Sequence, residues 1–215
     1  GREPPTEPLS ELWAVAGRRG GKTLAAALVA TAAAALFDRQ ARLAPGEVAT
    51  VFLLAKDRGQ ARTAFRYIRG LLRDCPLLER MVASETAERI ELDNRTAIEV
   101  GTASFRAARS YTFLAVIADE IAFWHDDGAN PAGEILAAVR PGLATLGGRL
   151  IAISSPYARR GPLWETWRRH HGQGGPTLVV KAPTRALNPE FPQATIDRAL
   201  AEDEPRARAE YLAEF

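Results

Sequence analysis

Lysine is nearly missing from this sequence. Of 28 basic residues only Lys22, Lys56 and Lys181 are lysines, so arginine fills almost every cationic position. Cysteine is scarcer still. Cys75 stands alone, which excludes an internal disulfide, suits a reducing compartment and leaves no second thiol for catalysis or metal binding; before Pro76 it reads as a filler. His170 and His171 have no partners at metal-ligand spacing. No apolar stretch combines the length and hydrophobicity of a membrane span, since residues 24–37 are mostly alanine and too few. The opening GREPPTEPLSE is polar and proline-rich, which predicts no signal peptide. Internal repeats are absent, and the alanine-rich stretch is the only low-complexity tract.

At 215 residues with 47% hydrophobic content, the chain can bury one sizeable core, and one α/β domain with a small appendage is the expectation. Against its arginine background Lys22 calls for a reason. Lysine is a compact point charge on a thin stem, whereas arginine is a planar fork. Lys22 lies in AGRRGGKT, residues 16–23, behind the apolar run Leu12-Trp13-Ala14-Val15-Ala16 and ahead of the helix-favouring LAAALVATAAAALF. Strand, glycine loop, Lys-Thr and helix is the order that a phosphate-binding loop requires. In such a loop the amides of Gly17, Arg18, Arg19, Gly20 and Gly21 and the helix start surround phosphate oxygens. Lys22 reaches the β and γ phosphates, and the Thr23 hydroxyl takes a Mg²⁺ position. The motif's first position is Ala16 rather than glycine. A glycine turn that merely caps an alanine-rich helix is the bland alternative.

FLAVIADE, residues 113–120, is a continuous apolar run ending in two carboxylates, the pattern of a buried parallel strand with acids at its carboxyl end. Ligands of open α/β sheets bind at that end. Asp119 there would hold Mg²⁺, largely through water, and Glu120 would orient and polarise an attacking water. The alternative is that the pair simply caps the next segment.

Elsewhere, ATVFLLA (49–55), GRLIAISSP (148–156) and TLVVKAP (177–183) read as strands. The stretch after residue 56 reads as a helix with apolar positions 61, 64, 65, 68, 71 and 72. ERIEL and TAIEV around Asp93-Asn94-Arg95 read as a hairpin, PLWETWRRHH as a short helix, and the chain from Pro192 as polar, acidic helix. Strands alternating with helices predict a three-layer α/β fold with a mainly parallel sheet. Charge is segregated. Arg140, Arg149, Arg159, Arg160, Arg168 and Arg169 face a single acid, Glu165, between residues 140 and 171, which predicts a basic face for a polyanion, with a merely solvated helix face as the alternative. Trp164 and Trp167, at i and i+3, read as core.

Taken together, AGRRGGKT, AKDRGQA, VIADE and above all AISSPYARRGPLWE resemble the ATPase domain of the large terminase subunit of tailed double-stranded DNA bacteriophages, over most of the chain. The resemblance accommodates Ala16 and the loop arginines. It implies a RecA-like P-loop NTPase fold of the ASCE type for residues 1–185, and a helical linker over 186–215 that would lead into a nuclease domain; no nuclease activity is expected of this chain. It further implies that Ser154-Ser155-Pro156 senses the γ phosphate and couples hydrolysis to movement. The implied function is a genome-packaging motor that uses ATP and Mg²⁺, as a homo-oligomeric ring on the capsid portal with portal protein and small terminase subunit, in the infected host's cytoplasm and without a membrane. Arg109, in the polar loop before the Asp-Glu strand, is then the expected arginine acting on a neighbouring subunit's γ phosphate, with Arg106 in reserve. A helicase or translocase P-loop ATPase, a small-molecule phosphotransferase and a nucleotide-gated DNA-binding module are the other readings.

Overall fold

The computed structural model describes residues 5–37, 40–102, 111–124 and 131–215. In chain order the strands and helices are β1 (Glu11–Ala16), α1 (Lys22–Leu36), β2 (Ala49–Ala55), α2 (Arg58–Arg73), α3 (Pro76–Arg80), β3 (Val82–Glu85), β4 (Arg89–Leu92), β5 (Thr96–Thr102) and β6 (Thr112–Asp119). They continue with α4 (Pro131–Leu146), β7 (Arg149–Ser154), α5 (Gly161–His170), β8 (Thr177–Ala182), α6 (Thr184–Leu187), α7 (Gln193–Glu202) and α8 (Glu204–Leu212). One sheet carries all these strands in the order β3-β4-β5-β2-β6-β7-β1-β8. From β5 to β8 every pairing is parallel; β4 joins β5 antiparallel and β3 joins β4 antiparallel.

The continuous apolar runs are explained by burial on both faces. Val51 and Leu53 of β2 pack into a core with α1 and α2, while Phe52 and Leu54 pack into a second core with α4 and α5. In β6, Ala115 and Ile117 join the first core and Val116 and Ala118 the second. The result is three layers. Alanine explains how α1 fits: Ala26, Ala27, Ala30, Ala33 and Ala34 are buried, so the helix lies close against the sheet. In α2 the positions expected to be apolar-facing are buried at 61, 64, 65, 68 and 72, and Leu71 packs half-buried at the margin. Asp57 caps that helix by accepting from the Gln60 amide at 2.9 Å. The hairpin turns where Arg95 takes φ 59°, and Asn94 Nδ2 ties the turn to Ala34 O at 2.8 Å. Among the described residues no helix is long and apolar enough to cross a membrane.

Three elements go beyond the sequence expectations. Helix α4 contains Pro141 and Gly133, which obscure its periodicity. Helix α3 is a single turn or so, and β3 is a short edge strand exposed at three of its four positions. The expected basic face is also corrected. Arg149 opens β7 whereas Arg159 and Arg160 follow its carboxyl end, so these arginines lie at opposite ends of that strand. Arg140 pairs with Glu11 at 2.9 Å, and Arg149 donates to the Gly147 and Gly148 carbonyls. Linear proximity overstated the patch because a strand crosses the whole molecule between them. Trp164 and Trp167 are half-buried and stack with ring centres 5.1 Å apart, against Phe215.

Candidate active site

Strand order brings the two sequence motifs together. β7 lies between β1 and β6, in register with Val15 beside Ser154 and Asp119 beside Ile153, so the carboxyl ends of all three finish level. The loop after β1 turns through two left-handed residues, Arg19 at φ 62° and Gly21 at φ 79°. Neither Ala16 nor Gly17 has a positive φ, which is why alanine is tolerated at the first position. Gly21 is the N-cap of α1 and offers no side-chain acceptor, so the first amides of the helix have no cap and remain suited to an anion.

Gly17 is required for another reason. A Cβ there would lie 2.4 Å from Thr184 Oγ1 and 2.5 Å from Thr184 N. The chain after β8 therefore closes directly on the loop. Thr184 Oγ1 donates to Arg18 O at 2.7 Å and Asn188 Nδ2 donates to Arg19 O at 3.2 Å. The Arg18 guanidinium pairs with Glu210 of α8 at 3.1 Å, and Gly20 sits against Leu187.

Lys22 is nearly enclosed, its side chain 7% exposed. Its ammonium donates to Ser155 Oγ at 2.9 Å, Gly17 O at 3.1 Å and Ala16 O at 3.4 Å, and lies 3.5 Å from Glu120 Oε1. The Glu120 carboxylate also accepts from Ser154 Oγ at 3.1 Å and from the Ser155 amide at 3.4 Å. The two hydroxyls thus divide the work: that of Ser155 meets the lysine, and that of Ser154 the glutamate. Glu120 takes φ 54°, ψ 41°, and its side chain makes no cap to the short 3-10 turn Ile121–Phe123 that follows. The capping alternative is therefore not what the carboxylate does. A non-glycine residue in left-handed backbone stores strain on the order of 1–3 kcal/mol, which surrounding structure must hold in place. The Glu120 amide, bonded to Ile153 O at 2.7 Å, supplies part of that restraint.

Asp119 is 1% exposed. Its Oδ2 accepts from Thr23 Oγ1 at 3.3 Å, while Oδ1 is buried with no hydrogen-bond partner among the described residues. Trp124 Nε1 anchors its backbone carbonyl at 2.9 Å. A buried, unpartnered carboxylate oxygen beside a threonine hydroxyl suits a hard divalent cation. Among the described residues no three His, Cys, Asp or Glu side chains cluster as a metal cage, so a cation here would complete its shell with water and substrate oxygens.

Burial, and after it the neighbouring charge of Glu120, push the Asp119 carboxyl up to about 6, against the opposing Thr23 hydrogen bond and Lys22 charge. An acid raised from 3.8 to about 6 binds more protons folded than unfolded between those values. It therefore makes stability fall as pH rises through this window, and the deficit persists above it. In EDTA, Asp119→Asn should match the wild type near pH 4 and become more stable by on the order of 2–3 kcal/mol by pH 7.5. Thermal melts across pH check this; an advantage independent of pH would remove the burial explanation.

All the expected loop residues, with Lys22, Thr23, Asp119, Glu120, Ser154 and Ser155, converge here. Arg109 and Arg106 lie outside the described residues. Thr184, Glu210 and Trp124 were not foreseen: the first two reach the loop from 166 and 192 positions away from Arg18, a separation that leaves no local signal.

No protein-family model matches the sequence, and no curated protein matches it. Solved structures do. The large terminase ATPase domain of Thermus phage P74-26 superposes with TM-score 0.74 at 20% identity, over 98% of this chain and 90% of that one. The HK97 bacteriophage large terminase gives TM-score 0.69 at 17% identity over 96% of this chain. The large terminase of a thermophilic bacteriophage, solved in complex with ADP, gives 0.71 at 12% over 96%. The chain spans 47% and 48% of those last two proteins, respectively. At these identities the likeness shows the fold.

Proposed function

We propose that this chain is the ATPase domain of a terminase-type motor that hydrolyses ATP with Mg²⁺ to drive viral double-stranded DNA into a procapsid. The observation that carries the reading is the contact of Lys22 with both Ser155 and Glu120 at the carboxyl ends of adjacent strands, on a fold shared with terminase ATPase domains. Residues 1–185 form the ATPase domain in this reading and 186–215 a helical linker. The assembly partners are further copies in a ring, the portal protein and the small terminase subunit, in the cytoplasm of the infected host.

In this mechanism the loop amides and Lys22 bind the triphosphate; Thr23 and Asp119 would hold Mg²⁺, which would supply charge to offset that developing on the phosphates. Phosphate oxygens offer Lys22 better acceptors than the carbonyls of Ala16 and Gly17, so binding draws the ammonium off its present partners. Glu120, then less neutralised, accepts hydrogen bonds from the attacking water and takes its proton. Ser154 holds that carboxylate, and Ser155 is placed to register whether the lysine faces a phosphate. Because Arg18 and Arg19 are bonded to Glu210 and Asn188, a change of loop shape on binding acts directly on α8 and on the chain just after α6. Arg109 would complete a neighbour's site.

The test is Mg²⁺-dependent phosphate release by the purified chain across a range of protein concentrations. Turnover per chain should be weak when dilute and rise steeply with concentration, as a site completed by a neighbour requires. Absent hydrolysis at all concentrations, with ATP bound, would leave only a nucleotide-gated binding module.

A further inference from the structure

Helix α2 is 16 residues long and contains five arginines and no acid. Arg58, Arg62 and Arg66 are all exposed and, four residues apart, share one face of the helix at about 6 Å of rise per step. Like charges at this spacing destabilise a helix, and Arg58 also stands at the positive end of the dipole. Farther along, the repulsion is relieved: Arg69 and Arg73 both pair with Glu85 of β3. Arg69 also donates to Thr86 O at 2.9 Å and lies over the Phe65 ring at 4.8 Å. Among the described residues no carboxylate pairs with Arg58, Arg62 or Arg66; Arg66 donates to the Thr63 hydroxyl at 3.3 Å. Three cations are thus placed where they cost helix stability, with no carboxylate in ion-pair contact with them among the described residues.

They line a groove. One cleft of about 540 Å³ is bordered by Arg62, Phe65, Arg66 and Ala87, and a second of about 200 Å³ by Arg58, Arg62 and Glu88. Arg62 is common to both, so the row runs along the channel between α2 and the β3–β4 turn. Glu99, which also borders the smaller cleft, is already bound by Arg89 and Tyr111 at 2.8 Å each.

We propose that the Arg58-Arg62-Arg66 row of α2 is a binding surface for the phosphate backbone of duplex DNA, an identification of the polyanion that rests on the packaging reading. A strand of duplex presents a phosphate about every 3.4 Å of axis, so a backbone laid along the helix offers one within reach of every arginine in the row. A single small anion could engage only part of it. The rival surface is α5, with Arg160 exposed at its N-cap and Arg168 and Arg169 exposed in its last turn.

The experiment measures binding of a fluorescently labelled random-sequence duplex at several salt concentrations. It compares the wild type, a variant with Arg58→Gln, Arg62→Gln and Arg66→Gln, and a control with Arg160→Gln, Arg168→Gln and Arg169→Gln. The α2 variant should lose at least about tenfold in affinity, and the slope of log K against log salt should shrink by about 2.7, three phosphates at about 0.9 each. Its melting temperature without DNA should be unchanged or higher, since repulsion is removed, and its turnover without DNA unchanged. Arg62→Gln alone carries the same expectation with a slope change of about 0.9, should the triple variant fold poorly. A wild-type slope in the α2 variant, with the loss appearing in the α5 variant, overturns the assignment. So does a wild-type chain that hydrolyses ATP but binds no duplex. Failure of the motor reading shows separately, as absent turnover with row-dependent DNA binding intact.

Discussion

Glu120→Gln is expected to bind Mg-ATP as tightly as the wild type and to turn it over at least about a hundredfold more slowly, the low end of what a positioned general base contributes. The substitution keeps the shape of the side chain and one of its oxygens, so the contacts from Ser154 and the Ser155 amide survive with modest adjustment. What disappears is the capacity to accept a proton. The left-handed backbone at residue 120 is held by neighbours and not by the carboxylate, so the fold should be kept. Equilibrium nucleotide binding and single-turnover hydrolysis together separate the two effects. Full turnover in Glu120→Gln at saturating Mg-ATP would remove Glu120 as the base.

The second large effect concerns the lysine that an arginine-rich chain retained. Lys22→Ala should weaken Mg-ATP binding by about a hundredfold, close to 2.7 kcal/mol and within the range for hydrogen bonds to charged groups. Lys22→Arg should fare no better, although it keeps the charge. Three acceptors, Ser155 Oγ, Gly17 O and Ala16 O, surround a single ammonium within 2.9 to 3.4 Å, in a pocket that leaves the side chain 7% exposed. A planar guanidinium spreads its donors in one plane and needs more room. Forced into that space, it would displace the loop or leave donors unpaired. Isothermal titration of both variants decides the point: wild-type affinity in Lys22→Arg would show that charge alone is required there, and the geometric account would fail.

The links from the loop to the far end of the chain bear on how either effect would be transmitted. Thr184 and Asn188 hold the carbonyls of Arg18 and Arg19, and Glu210 holds the Arg18 side chain. The loop that would grip phosphate is thereby built partly from helices that follow the last strand. A loop carbonyl cannot turn without breaking one of these bonds, so nucleotide-dependent movement of residues 17–19 would be felt first in α6 and α8.

By itself the sequence determined what local patterns can encode. Apolar runs of strand length at 49–55 and 113–119 specified buried parallel strands because both faces had to be covered, and the amphipathic spacing in α2 specified which side met the sheet. The glycine loop and the Asp119-Glu120 pair pointed to nucleotide chemistry because they stand at the carboxyl ends of such strands, although either motif could also have served only as a cap. Even the scarcity of lysine marked Lys22 in advance. Tertiary structure alone decided which partners these groups meet. Ser155 reaches Lys22 and Ser154 reaches Glu120 because β7 is inserted between β1 and β6, an ordering set by how the crossovers pack and by no neighbouring residue. The burial of Asp119, the strained backbone of Glu120 and the grip of Thr184 on the loop arise the same way. That Glu85 would relieve Arg69 and Arg73, and that no described carboxylate would pair with Arg58, Arg62 or Arg66, followed only from where the hairpin folds. Local propensity acts over a few residues, whereas burial, strain and charge compensation depend on atoms from separate elements, 34 positions apart at Ser154 and Glu120 and 192 at Arg18 and Glu210.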